Sequence, residues 1–269
     1  ISPAIGGLIV DMLNWRWVFF INIPLILIII ILSSRWLINQ LPTKVGKFDL
    51  LGFGLISTAL FLIIYGLSTF KKISDVWVSL GCFIFGSILL YVFTTYTSKR
   101  YYALLNLQVI KDRLFCTGML FYLCISGVFT GISILNIFLF QNIFNMTAAK
   151  TGLLMLPFSL GAFAGVVIAG KIFNHIGPKP ITLTSLIIWV LSLALLVNIN
   201  DKTQFNLALL AYFLMGIGSG TIGYIAQTIA MLNISNENLS KASAVWNLNR
   251  QLSFSVGVAV FTMIFQLLL

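Results

Sequence analysis

Residues 15–36 read WRWVFFINIPLILIIIILSSRW. From Trp17 to Trp36 the apolar run is broken only by Asn22, Pro24, Ser33, Ser34 and Arg35. Nineteen residues of helix at about 1.5 Å each separate the two indoles by roughly 28 Å, close to the hydrocarbon thickness of a bilayer. Tryptophan favours the membrane–water boundary, so this stretch reads as one membrane crossing with an aromatic belt at each end.

The same kind of segment recurs along the chain. After a short run at about 1–12, spans are expected at approximately 17–34, 48–69, 76–97, 115–140, 151–170, 181–199, 205–231 and 242–269. Fifty-nine per cent of the residues are hydrophobic and 8% charged, and mean hydropathy is +1.05. A soluble domain carries about a quarter charged residues, so this chain lacks the polar surface to face water. The fold class expected is an all-α polytopic membrane protein.

The net charge of +10 has its explanation in the same topology. Counting loops alternately, one set holds Arg16, Lys71, Lys72, Lys150 and Lys202. The other holds the remaining eleven cations: Arg35, Lys44, Lys47, Lys99, Arg100, Lys111, Arg113, Lys171, Lys179, Lys241 and Arg250. The richer set belongs in the cytoplasm, which puts the opening Trp-Arg-Trp outside. The basic balance is therefore no nucleic-acid footprint, and no nucleic-acid partner is expected.

All six acidic residues, Asp11, Asp49, Asp75, Asp112, Asp201 and Glu237, fall in loops or at span ends. No carboxylate sits at mid-membrane depth, where proton or cation carriers are usually found. One histidine, His175, and three cysteines without a CxxC pair offer no metal or redox site. With no interfacial cluster of His, Asp or Glu there is no catalytic residue to name, and an enzyme is not expected.

The opening ISPAIGG places Pro3, Gly6 and Gly7 on one apolar helix. Proline removes a backbone donor, and glycine admits a close neighbour. The Ser-Pro-x-x-Gly-Gly run resembles the end of the antiporter motif of the major facilitator superfamily, with Ser2 in place of the usual first glycine. WRWVFFINIP resembles the Trp-Arg-x-x-Phe-x-Ile-Asn-x-Pro signature of that superfamily's fourteen-span drug:proton antiporters. Four later segments are similar to the same family, in order. KFDLLG (47–52) resembles the entry to the first of two extra central spans, and LQVIKDRLF (107–115) the amphipathic approach to the C-terminal half. Gln141 through Gly152 to Pro157 resembles a connection between two C-half helices, and SKASAVWNLNRQLSFSVGVAV (240–260) the penultimate span. The hydrophobic spans 48–69 and 76–97 stand where twelve-span relatives have a polar loop.

The resemblance implies a major facilitator fold running from the end of span five to span thirteen, as a partial chain. Its expected domains are 1–47 (the end of the N-terminal bundle), 48–97 (the two central spans) and 98–269 (the C-terminal bundle). GKIFNHIGPKP (170–180) is similar to the C-half copy of the family's cytoplasmic loop motif, retaining Gly170, Gly177 and Lys179. Asn174 stands where the family has an acid, and the segment reads equally as a tight turn with inside-positive charge.

Three helices carry polar residues on one side. Ser126, Thr130 and Ser133 lie within about 60° of each other, with Gln141 just beyond. Tyr224, Gln227 and Thr228 form a second group. Ser243, Asn247, Arg250, Gln251, Phe254 and Phe261 form a third, while Ser253 and Gly257 mark a small-residue side suited to helix packing. Such groups need protein or a water-filled cavity, since lipid offers no partners. Interhelical bonding and cavity lining both satisfy that need. Arg250 reads either as a cavity charge or as a side chain reaching the cytoplasmic edge. Relatives that export cations carry acids at positions aligned with Trp246, Asn247 and Ala162, which argues against divalent cation preference. Gly127/Gly131, Gly161/Gly165 and Gly216/Gly220 read as close helix contacts; MGIGSG (215–220) lies inside an apolar span and is no nucleotide loop.

The functional expectation is secondary export of lipophilic, often cationic, drugs in exchange for protons, in a bacterial plasma membrane. Its energy source is the proton gradient, with no cofactor and no metal. The partners are the bilayer, a small lipophilic or cationic substrate, and protons. The alternatives are an exporter of one physiological solute on the same fold, or an inactive truncated product.

Overall fold

The computed structural model describes residues 2–36, 49–69, 76–98, 107–199 and 204–268. Among these the regular structure is helical throughout. The helices are α1 (Ser2–Met12), α2 (Trp17–Phe20), α3 (Asn22–Trp36), α4 (Leu50–Thr69), α5 (Val76–Ser98) and α6 (Arg113–Phe138). They continue with α7 (Ala148–Leu154), α8 (Leu156–Ile176), α9 (Pro178–Val197), α10 (Phe205–Met231) and α11 (Leu239–Leu268). Among the described residues eight segments are long and apolar enough to cross a membrane, from Trp17–Trp36 to Asn236–Phe265. Each coincides with a span expected from the sequence. Lys44, Lys47, Lys71, Lys72, Lys99, Arg100 and Lys202, with Asp75 and Asp201, lie outside the described residues.

Two of the helix breaks lie just before a proline. Pro24 cannot donate to the carbonyl one turn back, and the helix parts at Ile21 between α2 and α3. The Asn22 side-chain amide donates to the Val18 carbonyl at 2.8 Å across this joint. Pro157 acts likewise on the long span 148–176, which divides at Met155 into α7 and α8. Beside the first joint, the Arg16 guanidinium lies 4.7 Å from the Trp15 ring centroid, and Trp15 meets Phe19 edge-on at 6.2 Å. The Trp-Arg-Trp signature is thus a local aromatic knot carrying one charge.

The chain divides into two compact units: Ile1–Val45, Asn136–Gly165 and Ile187–Gly218 make the first; Gly46–Leu135, Val166–Leu186 and Ser219–Leu269 the second. In the first, glycines set the closest approach. A Cβ on Gly161 would run into the Phe213 carbonyl, and one on Gly216 into the Phe158 carbonyl, so α8 and α10 touch backbone to backbone. The span Trp17–Trp36 has no buried residue in its central window, and Trp17 and Trp36 are both exposed.

In the second unit, α4 and α5 pair through Gly66 against Ser79 and Gly86 against Ala59. Gly127 and Gly257 bring α6 and α11 into backbone contact, with Phe261 lying over Gly131. A core of Ile56, Phe93, Phe115, Ala242, Val245 and Trp246 fills the space around them. Lipid tails are as apolar as these side chains, so dispersion and close packing, not escape from water, hold such contacts.

Two acids cap helices in this unit. Asp49, nearly buried, accepts the Gly52 N–H at 2.9 Å and the Tyr96 hydroxyl at 2.9 Å. It starts α4 and ties α5 to it. Asp49→Ala is expected to lower stability in detergent by about 1–2 kcal/mol, and Asp49→Asn by less, as thermal unfolding will show. Asp112 accepts the Phe115 N–H at 2.9 Å and the Asn233 amide at 3.3 Å. The Phe115 N–H holds its carboxyl below the usual range, aided by Asn233 and opposed by slight desolvation. A lowered folded-state pKa stabilises fully above the ordinary carboxylate range and is lost as pH falls through the lowered value. Asp112→Asn is therefore expected to flatten the acid limb of a stability-versus-pH curve, by a small amount because the site is only half-buried.

Candidate functional site

The antiporter-motif helix is α1, and its glycines divide the work. A Cβ on Gly7 would strike the Ala148 carbonyl, whereas Gly6 has nothing within 4 Å. Pro3 lies in the first turn of α1, which runs unbroken to Met12.

Two of the three hydroxyls in the α6 group are satisfied at home. Thr130 donates to the Ser126 carbonyl at 2.7 Å, and Ser133 to the Phe129 carbonyl at 2.8 Å. Such back-bonding onto the preceding turn needs neither a neighbouring helix nor water. All three side chains are half-buried. Gln141, also half-buried, belongs to a π-helical turn, Leu139–Ile143, that ends this span. Wide turns of this kind are frequent at functional positions.

On α10, Thr228 bonds back to the Tyr224 carbonyl at 2.9 Å, and Gln227 is exposed. Tyr224 packs on the small core of Ala169, Ile181, Ile225 and Ile229. Its hydroxyl would lie 3.6 Å from a Cβ on Gly170. Two residues singled out for different reasons are thereby neighbours.

The cytoplasmic loop motif is shorter than its sequence implies. Residues 170–176 belong to α8 and Pro178 already opens α9, so Gly170 is helical and only Gly177 joins the two helices. Gly177 has φ 82°, and its N–H donates to the Phe173 carbonyl at 2.9 Å. That is the left-handed helix stop at which glycine costs least, with proline following. Lys179, Asn174 and His175 are exposed around it.

Helix α11 is two-faced. Ala242, Val245, Trp246, Asn249 and Ser253 are buried; Trp246 meets Tyr122 edge-on at 5.2 Å. Asn249 donates to the Met119 carbonyl at 3.2 Å, an anchor that the sequence hides among its asparagines. Asn247, Arg250 and Gln251 are exposed, with Ser243 and Phe254 half-buried beside them. Arg250 lies eleven residues into α11, about 16 Å along it, and makes no hydrogen bond or ion pair with the described residues. Bidentate donors, amides and an aromatic ring on one face suit a bulky ligand with a few acceptor groups.

Sequence reading also passed over Asn136 and Tyr212, whose buried Nδ2 and Oη belong to side chains that neighbour each other. An asparagine inside an apolar span was the available signal. No group of three or more His, Cys, Asp or Glu that would hold a metal occurs among the described residues.

Residues 1–258 match the family model described as Major Facilitator Superfamily. The chain belongs to the major facilitator superfamily. It is an integral membrane protein with several crossings, and its family is one of transporters, not enzymes. It is 27% identical over 263 residues to the multidrug transporter protein MdtP of Bacillus subtilis (strain 168), covering 97% of this chain and 48% of that protein. It is 26% identical over 261 residues to the drug efflux pump JefA of Mycobacterium tuberculosis, covering 96% and 51%. It is 25% identical over 265 residues to the lincomycin resistance protein LmrB of Bacillus subtilis, covering 97% and 55%. The chain spans about half the length of the curated relatives it matches.

Proposed function

We propose that this chain is the second part of a fourteen-span drug exporter, working by alternating access in a bacterial plasma membrane. On this reading α1 is the end of span five, α4 and α5 are the two extra central spans, and α6 to α11 form spans nine to thirteen. Protons entering down their gradient drive a lipophilic, often cationic, substrate outward; the gradient takes the place of a cofactor. The observation that carries the reading is the exposed Asn247–Arg250–Gln251 face of α11 with Phe254. A membrane helix does not leave such groups toward lipid, so they favour a wet cavity over the edge-reaching alternative. The names of the relatives support drugs as the cargo.

The gene product that carries this chain, expressed in a bacterium stripped of its own pumps, is expected to raise tolerance to several unrelated lipophilic drugs. A rise for none of a broad panel, with the protein in the membrane, would turn the assignment to an exporter of a single solute.

A further inference from the structure

The N-terminus of α7 is capped twice, once by its own chain and once from far away. Thr147 takes the N-cap position with extended backbone, and its Oγ1 accepts the Lys150 N–H at 3.3 Å. The Asp11 carboxylate accepts the next free donor, the Ala149 N–H, at 2.8 Å across 138 residues of sequence. The first turn of α7 has no acid of its own and carries Lys150. A helix N-terminus is electropositive, so this end gains from an anion that its own sequence does not provide. Gly7, one turn before Asp11 on the same face of α1, is the residue whose Cα lies against the Ala148 carbonyl. The two helices therefore meet at two points, a bare backbone contact and a charged hydrogen bond. Both Asp11 and its bond are exposed, so nothing packed over them has to move first.

We propose that Asp11 is a latch: by capping α7 in trans it holds the outer ends of these two helices together, and the outward-open state forms only when it lets go. This rests on the transporter reading above, in which α1 and α7 belong to opposite bundles and meet on the outer side. Gly7 sets how closely the helices approach, and Asp11 sets how firmly. Asp11 is a positioning residue; it touches no substrate.

The test reads distance, not transport. Nitroxide labels go on Met12 and Leu153, both exposed, in the gene product carrying this chain, with Cys82, Cys116 and Cys124 replaced by serine. The protein is reconstituted in lipid nanodiscs without substrate. Asp11→Ala is expected to shift the ratio of short to long label distances about tenfold toward long, the loss of one charge-assisted bond. Asp11→Asn, which keeps the size of the side chain and guards against an unfolded alanine variant, is expected to shift it the same way by less. Thr147→Ala removes the local cap from the same helix end and is expected to leave the ratio as in the parent. An unchanged ratio in both Asp11 variants overturns the latch. So does an equal shift in Thr147→Ala, which would mean simple fraying of α7. The shift with no drug exported by the parent would keep the latch and remove the substrate reading.

Discussion

Gly216→Leu is expected to eliminate folded protein, cutting the monodisperse yield in mild detergent at least tenfold, and Gly161→Leu to do the same. The two glycines are reciprocal: each presents its bare Cα to a backbone carbonyl of the other helix, Gly161 to Phe213 and Gly216 to Phe158. A flexible side chain can swing aside, but a helical carbonyl cannot move without opening its own hydrogen bond. Overpacking ordinarily costs about 1–3 kcal/mol; against backbone on both sides the cost belongs at or above that range. Even alanine is expected to harm at these positions. Gly54→Ala and Gly81→Ala are the controls, because neither glycine has anything within 4 Å of the added Cβ. Size-exclusion profiles of the six variants decide the matter. A normal profile for Gly216→Leu would mean that α8 and α10 do not meet as described.

The second large effect has the opposite character. Arg250→Ala is expected to leave folding untouched, within about 0.5 kcal/mol, and to reduce drug transport tenfold or more, each tenfold being about 1.4 kcal/mol. Arg250 is exposed and contributes nothing to the packed face formed by Val245, Trp246, Asn249 and Ser253. On the proposed reading it offers a fork of five donors to the acceptor groups of a bound drug. Arg250→Lys keeps the charge and loses the fork, so an intermediate rate is expected. The check is the initial rate of export beside a melting curve on the same preparations. A transport rate equal to the parent's in Arg250→Ala would assign this side chain to the membrane edge.

The spans were legible because hydropathy is a local property: a run of about 20 apolar residues is its own evidence. The glycines were legible as packing sites but not as pairs. Nothing in Gly127 names Gly257 as its neighbour, since in lipid a helix face toward protein need be no more apolar than one toward lipid. The hydroxyls of Thr130, Ser133 and Thr228 looked like a demand for partners; their own helices meet that demand, an option that residue type and angle do not reveal. Asp11 was visible only as an acid at a span end. Its role came from a helix terminus 138 residues on, whose own sequence gives no acid to its first turn. The α8 boundary moved for a simpler reason. Helix continues from Gly170 to Ile176 until Gly177 supplies the left-handed stop, so the motif's seven leading residues lie on a helix and not in a loop.

The measurement that bears most directly on the central claim is uptake of a fluorescent lipophilic cation into inside-out membrane vesicles, made from cells expressing the gene product that carries this chain. Acidifying the vesicle interior is expected to drive dye accumulation, and a protonophore to release it. Accumulation that ignores the collapse of the gradient, or none at all with the protein correctly inserted, would contradict proton-driven drug export.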